Sequence, residues 1–213
     1  MTIRFRLCLA CLLVAGCAAS PSSRYFTLSG AGSPRAPQTA TAPSVLIGPV
    51  AIPAVVDRPE IVVTINDNEV WLDEFNRWAS PLADAIALST AEHVGAALGS
   101  PRVALASQAA SVDADFSVAI EVQRFDSVPG SYALVDAIYR VRRSADGRTA
   151  SGRTTDRQAV TDKSYDALAA AHSRAVARLS RDITDALRGL SAQPSGAVPS
   201  PVGLPGIGAK TSR

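Results

Sequence analysis

The stretch Phe116–Val160, FSVAIEVQRFDSVPGSYALVDAIYRVRRSADGRTASGRTTDRQAV, decides the fold. Apolar and polar residues alternate along it, the pattern of half-buried strands. The inner face of the first strand carries Phe116, Val118, Ile120 and Val122, and that of the second Ala133, Val135, Ala137, Tyr139 and Val141. Pro129-Gly130 and Asp146-Gly147 are turn signals between the strands. The sequence predicts three consecutive antiparallel strands, the third more polar and at the sheet edge.

Helices are predicted on both sides of these strands. A cap at Ser164 begins a helix that runs to Leu190, with inward-facing residues at Leu168, Ala175, Leu179, Ile183, Leu187 and Leu190. An earlier helix has Ser80 as its cap, Pro81 at its first position and Gly99 beyond its end. Short strands precede it, around a turn at Asn66–Asn68. We therefore predict an α+β fold, a mostly antiparallel sheet with two long helices packed on one face.

The N-terminus has the features of a secretory signal. Arg4 and Arg6 precede an apolar run, Leu7–Val14, that is much shorter than the roughly 20 residues of a membrane-spanning helix. The run ends in Val14-Ala15-Gly16-Cys17, which resembles the lipobox of bacterial lipoproteins. We predict that residues 1–16 are removed and that Cys17 is acylated. No other segment is apolar enough to span a membrane.

The charge balance and composition divide the remaining chain. The full chain has 21 Lys and Arg against 19 Asp and Glu. Removal of Arg4 and Arg6 leaves 21 − 2 = 19 basic residues, so the mature chain has no net charge to attract nucleic acid. Residues 17–43 are predicted to hold the lipidated cysteine, a tether and a short first strand, and residues 44–190 the folded domain. Residues 191–213 are rich in Pro and Gly and are predicted to be disordered.

The sequence holds no catalytic, metal or cofactor motif that we recognise. The two histidines, His93 and His172, fall on different predicted helices, and His93 is expected to be partly exposed. Four acidic residues crowd one turn: Asp67, Glu69, Asp73 and Glu74. Their spacing matches no calcium loop, so a solvated turn is favoured over a cation site. We predict a protein that is not an enzyme.

Six arginines fall on the second and third predicted strands: Arg140, Arg142, Arg143, Arg148, Arg153 and Arg157. One interpretation is a solvated outer face that protects the sheet edge. The other is a surface for an anionic partner, either lipid headgroups or acidic protein. For that second interpretation the candidate contacts are Arg140, Arg142 and Arg143.

The loop Pro53–Glu60, PAVVDRPE, is the candidate partner interface. Its prolines restrict the backbone, which lowers the entropy lost on binding. Val55 and Val56 have no obvious core to enter, and Asp57 and Arg58 follow them. Apolar residues beside an arginine are typical of interface hot spots. The alternative is an ordinary loop in which Asp57 and Arg58 pair locally.

The region from Ser44 to Leu98 resembles the PqiC (YmbA) family of ABC-type transport auxiliary lipoproteins. The matching elements, in order, are Gly48-Pro49-Val50, Ile52-Pro53, Asp57–Val62, the Asn66–Asn68 turn, Arg77-Trp78 and Pro81-Leu82. Tyr25–Leu28 is similar to the opening strand of that family. The C-terminal half agrees in its plan of three strands and a helix.

The resemblance implies an outer-membrane lipoprotein, anchored on the periplasmic face, that serves an MCE-type transport system for phospholipids or other hydrophobic molecules. The implied partner is an MCE-domain protein that spans the periplasm, and self-association is a further expectation. Ala18 after the cysteine is similar to lipoproteins sorted to the outer membrane. The alternatives are a stand-alone periplasmic carrier of lipid or solute and an envelope assembly factor.

Overall fold

The structure, a computed structural model, describes residues 22–29, 36–108 and 113–194. Within them lie eight strands and two helices: β1 (Arg24–Phe26), β2 (Val45–Ala51), β3 (Glu60–Asn66), β4 (Glu69–Trp78), α1 (Leu82–Leu98), β5 (Val103–Leu105), β6 (Phe116–Val128), β7 (Tyr132–Arg143), β8 (Thr149–Ala159) and α2 (Tyr165–Ala192). The predicted signal peptide and Cys17 lie outside the described residues, as does the chain beyond Pro194.

The α+β class is confirmed, but the sheets are mixed rather than mostly antiparallel. The larger sheet has the order β5-β2-β6-β7-β8. The meander β6-β7-β8 is antiparallel as predicted, whereas β2 runs parallel to both β5 and β6. A smaller sheet has the order β1-β4-β3, with β1 parallel to β4. Two parallel neighbouring strands must be joined by a long crossover connection. For β2 and β5, the chain from β3 to α1 forms this connection.

The predicted inner face of the meander is buried apart from the half-buried Tyr139, but on the outer face of β7 Leu134 and Asp136 are buried as well. The buried inner face includes Phe116, Val118, Ile120, Val122, Ala133, Val135, Ala137 and Val141. A register shift follows Val122, so that Arg124 remains exposed and Phe125 is buried. Strand β8 forms the sheet edge, as expected for its more polar sequence.

Strand β2 accommodates a proline in the interior of the sheet through a bulge. Pro49 has no backbone N–H to donate, which normally confines proline to edges or bulges. The register shifts between Ile47 and Val50, and Gly48 has a positive φ of 116°. Glycine adopts that conformation without a steric penalty.

Both helices pack against the buried face of the larger sheet and against each other. The Ser164 hydroxyl caps α2 by accepting from the Ala167 N–H at 3.1 Å. Helix α1 has Pro81, not Ser80, at its N-cap position, and no side chain caps it. The predicted inward residues of α2 are all buried. Within the described residues, neither helix combines the length and the apolar composition that a membrane span requires.

The chain is ordered further at both ends of the domain than predicted. Residues 36–43 belong to the segment that the sequence assigns to the tether and first strand, outside the predicted domain. They lie against the end of α1, where the Ala36 N–H donates to the Ala96 carbonyl at 2.8 Å. Helix α2 ends at Ala192, two residues beyond the predicted Leu190. The Gln193 carbonyl accepts from Arg143 at 2.8 Å. Ser191–Pro194 therefore belong with the domain rather than with the tail.

Candidate functional site

The loop between β2 and β3 turns so that its two valines separate. The Val56 N–H donates to the Pro53 carbonyl at 3.0 Å, and the Arg58 N–H donates to the Val56 carbonyl at 2.9 Å. Val55 projects outward and is 46% exposed. Val56 is buried and joins the main hydrophobic cluster. The expectation that Val56 has no core to enter is wrong, because the turn directs it beneath the loop.

A cavity of about 390 Å³ lies between this loop and the start of α1. Its lining residues come from two short segments: Asp57, Arg58, Pro59, Trp78, Ala79, Ser80 and Pro81. The Arg58 Nε is buried and has no hydrogen-bond partner among the described residues. Asp57 and Arg58 do not form an ion pair with each other in this part of the chain. The cavity therefore presents a cationic group that is not neutralised by the neighbouring carboxylate.

Trp78 forms the floor of the cavity and fixes the loop above it. It is buried, and its backbone N–H donates to the Pro59 carbonyl at 2.8 Å. Its ring meets Phe125 edge-on, with centroids 6.1 Å apart, and His172 edge-on at 6.2 Å. Phe125 and His172 stack with centroids 3.8 Å apart. This aromatic cluster joins the smaller sheet to β6 and α2, so the loop rests on a rigid base.

His172 and Ser127 form a buried pair behind the cavity. The His172 Nε2 lies 2.8 Å from the Ser127 hydroxyl oxygen, and both residues are almost completely inaccessible to solvent. Burial lowers the pKa of His172 to about 3. A serine beside a histidine is the arrangement of a nucleophile and its base, but no substrate reaches a pair enclosed in the core. We assign this pair to structure.

His93 is also more buried than predicted. It is 7% exposed, and its Nδ1 lies 2.7 Å from the Ser89 carbonyl oxygen one turn earlier. The expectation of a partly exposed helix histidine is therefore wrong. The helix places His93 where its ring nitrogen satisfies a local backbone group rather than a ligand.

The three candidate anionic-surface arginines do not share one environment. Arg140 and Arg142 are exposed on the outer face of the larger sheet. Arg143 is buried and pairs with Asp146 while donating to the Leu190 carbonyl at 2.7 Å. The Arg143 guanidinium lowers the pKa of Asp146 to about 2. Arg143 therefore closes the β7–β8 turn over the end of α2 and is removed from the candidate surface.

The crowded acidic turn is satisfied by local hydrogen bonds. Asp73 accepts from the backbone N–H of Phe75 at 2.9 Å, and the Asn66 side-chain amide donates to Glu69 at 2.9 Å. Within the described residues, no group of three or more histidine, cysteine or acidic side chains could hold a metal ion. Two of the four carboxylates therefore take part in hydrogen bonds within the hairpin itself.

Sequence reasoning identifies the loop but misses the cavity beside it. In the sequence Ser80 and Pro81 indicate only the start of a helix, yet they line the same cavity as Arg58. The sequence offers one signal for the cavity, which is that Arg77-Trp78 and Pro81 lie close together along the chain. It does not reveal that the loop approaches the same point, because that approach depends on tertiary packing.

The chain is an α+β domain with an accessible loop, a small cavity and an exposed arginine face. The chain belongs to the ABC-type transport auxiliary lipoprotein component family, whose model matches residues 26–184. The protein is thus a transport-associated lipoprotein, with the membrane-anchored envelope location that this description carries. A comparison with curated proteins finds no match.

Solved structures share the fold at low sequence identity. Protein XCC0632 from Xanthomonas campestris, of the DUF330 family, has a TM-score of 0.64 at 19% identity, covering 79% of this chain and 98% of that one. A second crystal structure, of an uncharacterized protein, has a TM-score of 0.63 at 17% identity, covering 78% and 99%. The PelC dodecamer from Paraburkholderia phytofirmans is more distant, with a TM-score of 0.39 at 16% identity, covering 70% and 90%.

Proposed function

We propose that this protein is a non-catalytic outer-membrane subunit of an MCE-type transport system that moves phospholipids or other hydrophobic molecules between the two membranes. The observation that carries the proposal is the family match, which covers nearly the whole folded domain, residues 26–184. In this proposal the lipid on Cys17 holds the domain at the membrane. The domain receives the periplasm-spanning MCE-domain protein.

The loop Pro53–Glu60 and its cavity are the proposed docking site. Val56 and the Trp78–Pro59 hydrogen bond hold the loop in place before any partner arrives, which reduces the ordering cost of association. Val55 supplies an exposed apolar contact beside Arg58. A partner carboxylate entering the cavity would neutralise Arg58, a type of contact in which arginine is favoured.

Arg58→Glu is expected to abolish retention of the MCE-domain partner in a pull-down with the unlipidated mature chain. Reversing the charge places a second acidic group beside Asp57 at the mouth of the cavity, and this pair repels a partner carboxylate. Because Arg58 is half-buried, circular dichroism on the same preparation should establish that the variant is folded before the pull-down is scored. Arg142→Glu is the matched control, because Arg142 is exposed on the outer face of the larger sheet.

The two variants together distinguish the candidate surfaces. If the Arg58→Glu variant still retains the MCE-domain partner and the Arg142→Glu variant does not, the interface lies on the arginine face and not on the loop. Failure of the unmodified chain to retain any MCE-domain protein would favour the alternative of an envelope assembly factor or a stand-alone carrier.

Cys17→Ser is expected to leave an uncleaved precursor that is absent from the outer-membrane fraction. The serine hydroxyl cannot form the thioether link to lipid, and cleavage at a lipobox follows that modification. Membrane fractionation followed by immunoblotting measures both size and location. A variant of mature size in the outer-membrane fraction would contradict the lipid anchor, whereas parent protein in the inner-membrane fraction would contradict only the proposed sorting.

A further inference from the structure

The far part of the β3–β4 hairpin, residues 65–75, carries a cluster of exposed apolar side chains. We call this segment the hairpin arm. Six of the nine large hydrophobic residues exposed in the described part of the chain lie on it or on the neighbouring β1: Tyr25 (65%), Ile65 (55%), Val70 (44%), Trp71 (62%), Leu72 (36%) and Phe75 (39%). Scattered exposed hydrophobics need no explanation, but a contiguous cluster indicates a contact surface.

Apolar groups lie on both faces of the arm. Trp71 is opposite Val63 in the register, and Val70 is opposite Thr64. Because successive strand residues point to opposite faces, Trp71 projects from one face and Val70 and Leu72 from the other. A flat protein surface would cover only one face. An environment that surrounds the arm, such as the interfacial layer of a membrane, covers both.

The position of the lipid anchor brings the arm to the membrane. Strand β1 is parallel to β4, with Arg24 opposite Asn76, so the N-terminal end of β1 is the end nearer the arm. Arg24 follows Cys17 by seven residues, which limits the span between them to about 25 Å. The seven residues from Asn76 back to Glu69 cover about 23 Å of strand. The end of the arm therefore lies within the length of chain that separates Arg24 from the predicted anchor.

The acidic side chains of the arm favour one type of lipid headgroup over another. Asp67, Glu69 and Glu74 are exposed and form no ion pair among the described residues, although Glu69 accepts a hydrogen bond from the Asn66 amide. An anionic membrane would repel them. The ammonium group of a zwitterionic headgroup would pair with them, while Trp71 and Tyr25 occupy the interfacial depth at which tryptophan and tyrosine are enriched.

We propose that the hairpin arm is a second membrane contact, which lies in the interfacial layer beside the lipid anchor and binds ammonium-bearing zwitterionic lipids. This inference rests on the acylation of Cys17 in the proposed function. A single lipid anchor does not by itself fix the orientation of the domain. Two contacts fix its orientation, so that the docking loop is presented in a constant direction.

Vesicle binding by the mature polypeptide, Ala18–Arg213 without acyl chains, tests the arm alone. Trp78 is buried, so a change in tryptophan emission on adding vesicles reports on Trp71. Vesicles of phosphatidylethanolamine and phosphatidylcholine should shift the emission to shorter wavelength, and phosphatidylglycerol vesicles should bind less. In co-sedimentation, Trp71→Ala should lower the partition coefficient by about tenfold. Leu88→Ala is the matched control, because Leu88 is 51% exposed but lies on α1.

Each other outcome overturns the proposal. The absence of a shift with either vesicle would remove the membrane as the partner of the arm. If the tryptophan emission shifts with rising protein concentration in the absence of vesicles, the arm binds a second copy of the chain and not a membrane. Stronger binding to phosphatidylglycerol would exclude recognition through the carboxylates. The assay contains neither acyl chain nor partner protein, so its failure leaves the Cys17→Ser and Arg58→Glu results to decide the proposed function separately.

Discussion

Trp78→Ala is expected to lower the free energy of unfolding by about 3–5 kcal/mol, the range for truncating a buried aromatic side chain. Trp78 is only 5% exposed. It contacts Phe125 on β6 and His172 on α2, so its removal opens a void where the smaller sheet meets the rest of the domain. Urea denaturation monitored by circular dichroism measures the change.

The second tryptophan provides the control for this variant. Trp71 is 62% exposed, so Trp71→Ala should alter the free energy of unfolding by only about 0.5 kcal/mol. A Trp78→Ala protein that kept full stability but lost its partner would contradict the structural role. Trp78 would then act as an anchor for the partner within the cavity.

The regular elements are predictable because their signals are local. The inner face of β6 and the inward stripe of α2 follow from periods of two and 3.6 residues, and the structure buries each predicted position. Turns at Asn66–Asn68 and Asp146-Gly147 are likewise visible in single dipeptides or tripeptides. These patterns define the elements, and the short turns also predict that β6, β7 and β8 are neighbours. They contain no information about pairing between strands that are far apart in the sequence.

The strand order and the length of β4 illustrate that limit. The parallel pairings of β2 with β5 and β6 depend on where the crossover places each strand, and no residue pattern within β2 encodes it. Strand β4 continues to Trp78, although the polar residues around Asp73 conceal it in the sequence. The pairing with β1 and β3 stabilises this extension, which is a tertiary effect.

Two errors at candidate site residues have different causes. Arg143 follows Val141 by two residues and so faces inward with it; alternation alone predicts its burial, and only its charge suggested a surface role. Val56 lies in an irregular loop, where no period assigns a direction to a side chain. The Arg143 position could have been corrected from the sequence, and the Val56 position could not.

The burial of His172 also follows from a periodic pattern. His172 lies four residues after Leu168 and three before Ala175, within the inward stripe of α2. Helical spacing therefore places it in the core. The sequence does not reveal its stacking on Phe125 or its contact with Ser127, because both partners lie on β6.

Acidification is expected to destabilise the protein through His172 from about pH 6.5 downward. Burial lowers the pKa of His172 to about 3 in the folded chain, against about 6.5 in the unfolded chain. Above pH 6.5 both states are neutral and the full stability is present. Below it, only the unfolded chain gains the proton, so the free energy of unfolding falls by about 1.4 kcal/mol per pH unit.

His172→Phe separates this effect from other acidic titrations. Phenylalanine keeps an aromatic ring against Phe125 but cannot bind a proton. Between pH 6.5 and 4.5 the native chain should lose about 2.3 kcal/mol more than the variant, whatever the difference between them at neutral pH. Urea denaturation at several pH values measures both slopes. Arg143 lowers the pKa of Asp146 to about 2. The contribution of Asp146 to the free energy of unfolding is therefore lost only as the pH falls below about 4, the ordinary pKa of an aspartate. Equal slopes for the two proteins above pH 4.5 would contradict a neutral, buried His172.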